Sequence, residues 1–484
     1  MAYGVIPGAR FGGLDLRSVS DASVCIDGID FDIAGDRLRA RDGFTLLTDQ
    51  LIGGSLNHLA PFYRYSSMQL LGQKAGSVST AVFDSFGGHV ATDTAVDGWF
   101  FTRFGTPTAE RIYYVNASVG PTPIRRWDGT SFSKPVGMET GVYLAVQPKE
   151  NRLVVADGGL AITNDHPYRV KFSRELDAEA WDGETVDLDP GDGDPITGLA
   201  TWRDLLFAFK RRRFYVFYGN ATDGAGDTEF RYRSVDTGGV GHVADESPLA
   251  VAPEGVYFLD STGIYLTAGG PPQKVSGALD PLFTGKGLSP LFSGEAVSDP
   301  RTGALVYHEG RLYVSLAEGT GTTNNVTYVF DGRDWMRWSV GFKPGQAASV
   351  HLGWPASGRA SLLIAQPDGL WEWGGDDDVG NAVVGSYRTG FVMPGLGQET
   401  DIARTRLWGS GAVTVGKSKD YGLINVDSRV EVQLGVSPLV GAGLYDRQNI
   451  GSAFSYEFAG DGPWELYAYN HEVRGSRPPG SRSG

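Results

Sequence analysis

The densest run of potential ligands in the chain is Asp187-Leu188-Asp189-Pro190-Gly191-Asp192-Gly193-Asp194, four carboxylates within eight residues. Two glycines in the run permit sharp bends. Hard cations such as calcium are held by oxygen clusters of this kind. The spacing is not that of an EF-hand, and no bidentate glutamate follows where that loop needs one. Asp187, Asp189, Asp192 and Asp194 are therefore candidate metal ligands, beside the plainer reading of a solvated loop. A second run, Asp376-Asp377-Asp378 after Gly374-Gly375, reads as an exposed turn. Opposite in sign is Lys210-Arg211-Arg212-Arg213, which reads as a hairpin turn between two strands or as a contact with an acidic neighbouring subunit. Arg37, Arg39 and Arg41 stand at alternate positions and share one face of a strand. With Arg211, Arg212 and Arg213 they are candidate subunit contacts.

Other chemistry finds little footing. The seven histidines (His58, His89, His166, His242, His308, His351 and His471) show no metal-ligand spacing, and no His-Glu-x-x-His occurs. There is no Gly-x-Ser-x-Gly elbow and no Walker-type phosphate loop. Cys25 is the one cysteine, which rules out an intramolecular disulfide and a cysteine-based zinc site. No enzyme activity and no cofactor are expected. Carboxylate pairs of the glycosidase kind can be far apart in sequence, so a propeller glycoside hydrolase stays as a lesser alternative.

The elements that must position these residues are strands. Glycine supplies 69 of 484 residues, about twice its usual share, and follows no collagen period. It separates short runs such as Arg111-Ile112-Tyr113-Tyr114-Val115, Arg152-Leu153-Val154-Val155-Ala156, Leu205-Leu206-Phe207-Ala208-Phe209 and Gly255-Val256-Tyr257-Phe258-Leu259. Glycine at that density provides the positive-φ positions that turns between strands require. Two strands recur in roughly 20–25 residues, so four strands take the length of a propeller blade. The fold class expected is all-β: a β-propeller of six to eight blades, a C-terminal β-sandwich-like module and an extended N-terminal arm. The boundaries expected are an arm at 1–50 that can donate a strand, a propeller at 51–395, a platform module at 396–475 and a flexible tail at 476–484. Trp127-Asp128-Gly129, Asp331-Gly332-Arg333-Asp334-Trp335 and Leu370-Trp371-Glu372-Trp373 resemble blade endings in which tryptophan fills the space between blades. Helical signals are sparse: one or two turns over Glu175–Trp181, and a loop or short helix within Asp280–Phe292.

The formal charge of −15 disfavours stable wrapping of DNA, which relies on counterion release, but suits a wall along which DNA slides without sticking. The N-terminus lacks the pattern of a signal peptide, and no apolar run approaches the length of a membrane span. The expectation is a chain made in a cytoplasm and soluble when made, which does not insert into membrane.

Two stretches carry a family resemblance. The first is Phe11-Gly12-Gly13-Leu14-Asp15-Leu16, through Asp30-Phe31-Asp32, to Leu38-Arg39-Ala40-Arg41-Asp42-Gly43-Phe44. The second is Phe172-Ser173-Arg174, through Trp181, to Asp192-Gly193-Asp194-Pro195-Ile196-Thr197-Gly198-Leu199 and Asp204-Leu205-Leu206-Phe207-Ala208-Phe209-Lys210. Together they resemble the bacteriophage tail nozzle or tail tubular proteins, propeller-bearing minor tail structural proteins. About 80 residues carry the likeness, and Asp42 stands where that family often has proline. The resemblance implies a virion tail protein that forms a homo-oligomeric distal ring, commonly a hexamer, contacts adjacent tail or adaptor proteins and passes DNA through its lumen during genome ejection. The competing expectation is a tail-tip propeller adhesin that binds host-surface glycan on aromatic platforms such as Trp371 and Trp373.

Overall fold

The computed structural model describes residues 4–7, 11–17, 23–35, 37–48, 56–64, 67–74, 80–84, 89–93, 100–105, 110–116, 121–158, 166–222, 228–244, 246–352, 359–389, 391, 399–419, 430–434, 441–445, 450–451 and 454–477. Among them, seven four-stranded antiparallel sheets follow one another along the chain. We number them as blades 1 (56–93), 2 (100–133), 3 (143–187), 4 (196–234), 5 (250–274), 6 (304–338) and 7 (347–375 with Gly43–Thr48). Their first strands are Leu56–Arg64, Phe100–Phe104, Tyr143–Gln147, Ile196–Trp202, Ala250–Ala252, Ala304–His308 and Ala347–Leu352. Each touches the first strand of the next blade, and that of blade 7 touches that of blade 1. The result is a closed β-propeller, which leaves only short sheet edges to solvent.

Each blade forms around a second strand that is largely buried on both faces and bounded by tight turns. Arg152–Ala156 and Gly255–Asp260 are buried at every position. Tryptophans fill the seams as the sequence suggests. Trp127 of blade 2 is fully buried and its Nε1 donates to Gln69 Oε1 of blade 1 at 2.8 Å. Trp335 of blade 6 donates to Val275 O, just after blade 5, at 3.1 Å. In the Asp331–Trp335 turn the Asp331 carboxylate accepts from the amides of Arg333 (2.9 Å) and Asp334 (2.7 Å), while Gly332 takes φ +92°.

Apart from Thr122–Pro123, which pairs only with Thr140–Gly141, the remaining described strands form one sheet of eleven. Its main path runs Cys25–Ile29, Val384–Thr389, Phe454–Asp461, Glu399–Lys419, Glu465–Arg477, Arg37–Ala40, Phe31–Ala34. Gly4–Pro7 pairs with Glu465–Arg477, and Val430–Leu434, Gly441–Tyr445 and Ile450–Gly451 pair with Glu399–Lys419. Phe31–Ala34 and Arg37–Ala40 at one end of the path approach Val384–Thr389 near the other, so the C-terminal module is a nearly closed, barrel-like sheet. Phe11, Phe31, Tyr387, Phe458 and Tyr469 meet in its core, with ring centroids 5.4–6.2 Å apart.

Several boundaries differ from those read in the sequence. Gly43–Thr48, placed in the arm, is the outermost strand of blade 7 and pairs with Gly369–Gly375, so an N-terminal strand closes the ring. Val384–Thr389, placed in the propeller, belongs to the sheet of eleven. Ser476 and Arg477, read as the start of a flexible tail, continue the strand Glu465–Arg477, and 478–484 lie outside the described residues. The turn or two of helix expected over Glu175–Trp181 is absent. Leu176 has φ +62°, and the Asp177 carboxylate accepts the Glu179 amide at 2.9 Å, a local turn that competes with helix. Asp280–Thr284 is a short helix, ended by Gly285 at φ +63°.

Candidate functional site

The acidic run and the basic run form one structure. Residues 188–195 lead from the last strand of blade 3 into the first of blade 4, and 211–213 link two strands within blade 4. In a propeller these connections lie on the same face. Asp187 instead pairs with Arg169 across its own blade, at 2.7 and 2.9 Å. Asp189 Oδ2 accepts from Arg213 at 2.9 Å and from the Tyr215 hydroxyl at 2.6 Å. Asp192 accepts from Lys210 Nζ at 2.9 Å and from the Asp194 amide at 2.9 Å. The Asp194 carboxylate accepts from the amides of Arg211 and Arg212, each at 3.1 Å. Lys210 is fully buried and also donates to Leu188 O at 2.7 Å. A buried ammonium is tolerated only when paired and hydrogen-bonded.

The electrostatics match this pairing. Hydrogen bonds from Arg169 hold the Asp187 carboxyl below its usual range. Burial pushes Asp192 up, but the bonds from Lys210 and the Asp194 amide outweigh it and leave it below. The four carboxylates thus turn to separate partners and do not converge on one point. Among the described residues no group of three or more His, Cys, Asp or Glu is placed to hold a metal. The calcium reading of Asp187, Asp189, Asp192 and Asp194 gives way to that of a self-neutralised joint between blades 3 and 4. Of the basic turn, Arg213 is committed to Asp189, while the Arg212 side chain stays 67% exposed, with Asp194 at 3.8 Å.

The alternating arginines behave differently along their strand. Arg37 is exposed, pairs with Glu465 at 3.4 Å and lies over the Tyr467 ring at 4.8 Å. Arg39 reaches Asp32 at 3.0 Å and Asp42 at 3.2 Å, and Asp32, fully buried, is also bound by Arg311 of blade 6 at 3.1 Å. Arg41 is buried at 3% exposure, bonded to Asp30 at 2.6 Å and to Asp378 at 2.9 Å. A side chain enclosed in this way is no subunit contact. Arg41 instead ties the barrel-like sheet to blade 7, and Asp378, read as part of an exposed turn, is its half-buried counterion.

A second tie lies at Gly12-Gly13. Tyr387 donates its hydroxyl to Gly12 O at 3.0 Å, Gly13 N donates to the Asp334 carboxylate at 3.0 Å, and Leu14 N donates to Trp335 O at 2.6 Å. A Cβ on Gly13 would stand 2.5 Å from Trp335 N, and one on Gly12 2.2 Å from Ser23 O, so neither position has room for a side chain. Nothing in the sequence pairs this motif with the Asp331–Trp335 turn over 300 residues away.

The innermost strands of blades 1 to 4, with Pro248, Leu249 and Val251, line a cavity of about 400 Å³. Leu59, Pro61, Leu144, Leu199, Leu249 and Val251 line much of it, an apolar wall with His58 and Arg103 at its margin. His242 does not line it: the ring is wholly buried near Phe209, and burial pushes its pKa down to about 4, so it is neutral. Trp371 and Trp373, suggested as aromatic platforms, are half-buried and pack on Phe44 at 5.9 and 6.2 Å between centroids.

No protein-family model and no curated protein matches the chain. Solved structures resemble it in fold alone. Virginiamycin B lyase from Staphylococcus aureus shares 9% identity over 70% of this chain and 98% of its own, with a TM-score of 0.41. The Pan2 WD40 domain of Neurospora crassa shares 9% over 70% and 96%, with a TM-score of 0.37. A family 43 arabinoxylan arabinofuranohydrolase from Bacillus subtilis shares 12% over 88% and 99%, with a TM-score of 0.27. At these values the likeness carries nothing about activity.

Proposed function

We propose that this chain is a structural subunit of a phage tail, assembled as a homo-oligomeric ring at the distal end, a nozzle or tail tip through which DNA leaves the particle. One observation carries the reading. The conspicuous charged and glycine motifs serve as joints: Gly12-Gly13 and Arg41 fasten the barrel-like sheet to blades 6 and 7, and the acidic loop and basic turn fasten blade 3 to blade 4. These are the same motifs that resemble the nozzle family. A body whose buried ion pairs hold its parts together suits a mechanical load. The formal charge of −15 per chain would give a sixfold ring about −90, a surface to which DNA does not adhere. Of the six basic candidates for contact with a neighbouring subunit or adaptor, Arg37 and Arg212 are exposed, while Arg39, Arg211 and Arg213 are half-buried.

Particles assembled without this chain are the test. Filled heads that lack the distal ring and do not eject DNA are expected. Particles with unaltered tails and normal infectivity would overturn the reading.

A further inference from the structure

Between blades 6 and 7, on the side where Arg39 and Asp42 pass, lies a cleft of about 360 Å³. Its size falls at the lower end of the roughly 300–1,000 Å³ usual for small-molecule sites. Its walls come from three places: the turn that carries Glu309 and Arg311, the strand start at Arg359 and Ser361, and the strand end at Trp373. Three carboxylates hold its three guanidinium groups. Arg39 pairs with Asp32 (3.0 Å) and Asp42 (3.2 Å), Arg311 with Asp32 (3.1 Å), and Arg359 with Glu372, which also accepts the Ser361 hydroxyl at 2.8 Å. Glu309 is the fourth acid at the rim, 65% exposed, and the Arg359 side chain is 70% exposed. Trp373 is held by Trp338 at 5.0 Å and by Phe44, and is half-buried in the wall.

We propose that this cleft binds a neutral saccharide of one or two rings. Three guanidiniums against Asp32, Asp42, Glu309 and Glu372 leave the cleft without positive charge, so a phosphate or carboxylate ligand would have to displace an existing counterion. A neutral polyol would not. Planar guanidinium and carboxylate groups present paired donors and acceptors to vicinal hydroxyls, and an indole offers an apolar surface to the C–H face of a sugar ring. The ion pairs fix these groups before any ligand arrives, which lowers the cost of ordering them on binding. The site is tested apart from the ring proposal: it shares no residue with the joints between blades 3 and 4 and at Gly12-Gly13, and it adjoins the Arg41 joint, whose guanidinium lies over the Trp338 ring that holds Trp373.

Saturation-transfer NMR on the full chain tests it. The probes are glucose, galactose, mannose, N-acetylglucosamine, lactose and maltose, set against glucuronate and N-acetylneuraminate. Transfer from at least one neutral sugar is expected, together with affinity at least tenfold weaker in both Arg359→Ala and Glu309→Ala. Both positions are exposed, and an unchanged thermal midpoint would show that the variants fold. No transfer from any neutral sugar at millimolar concentration, transfer unaffected by both substitutions, or tighter binding of the acidic sugars would overturn it.

Discussion

At Asp194 a single carboxylate caps two backbone amides, those of Arg211 and Arg212, while its neighbour Asp192 neutralises buried Lys210. Asp194→Ala would strand two donors in a partly buried turn and is expected to cost about 1–3 kcal/mol, read as a lower urea midpoint. Because these acids already have partners, added calcium or a chelator should leave the thermal midpoint where it is; a rise with calcium would restore the metal reading. His242 gives a pH signature. Its ordinary value of 6.5 falls to about 4 in the folded chain, chiefly through burial. The unfolded state therefore takes up a proton that the native state refuses, so this stability is full above pH 6.5 and is lost as pH falls towards 4. Between pH 7 and 5 the loss is about 2 kcal/mol. Asp187 and Asp192, depressed by their partners, contribute stability above the usual carboxylate range that is lost at more acid pH. A His242→Gln variant should flatten the pH 7 to 5 portion of the urea-midpoint profile, and an unchanged slope would discount the histidine.

At the scale of elements, the decisive contacts join segments far apart in the chain. Phe44 is fully buried, with its strand paired to one more than 300 residues away. Phe44→Ala is expected to cost about 3–5 kcal/mol and to loosen the closure of blade 7, seen as faster amide exchange in Gly369–Gly375. Gly13→Ala should cost more than ordinary overpacking of about 1–3 kcal/mol, because the atom it would strike is the Trp335 backbone. Limited proteolysis of the 11–35 region would report the released arm. Arg41→Met removes the partner of Asp30 and Asp378 and is expected to cost about 3–5 kcal/mol. Sequence shows such strands but not their pairing. The alternation in Phe31–Ala34 or Val430–Leu434 is local, whereas the choice of Gly43–Thr48 as the last strand of blade 7 depends on where the other end of the propeller falls. The false helix at Glu175–Trp181 has the same origin: helix-forming residue types over too short a run to nucleate, overruled by an Asp177 turn.

For the whole molecule, glycine-bounded apolar strands made the propeller legible, since each blade needs only its own turns and its own apolar faces. The structure sets the count at seven four-stranded sheets, within the six to eight read from the repeat. The sequence suggests that the N-terminal arm donates a strand; what stayed hidden is the interlacing of four strands of the arm in the barrel-like sheet, and the mutual neutralisation of the acidic and basic runs. The same interlacing makes the platform inseparable from the propeller, so a fragment lacking residues 1–48 is expected to be insoluble or to unfold at markedly lower temperature, measured by calorimetry. The proposed role in a tail ring meets its most direct test in electron cryomicroscopy of the intact particle at a resolution that fits the chain. The account predicts density for several copies arranged as a ring around the distal tail axis, with the barrel-like sheets and propellers in fixed mutual orientation. A particle in which this chain is missing, or is found as isolated copies away from the tail, would contradict it.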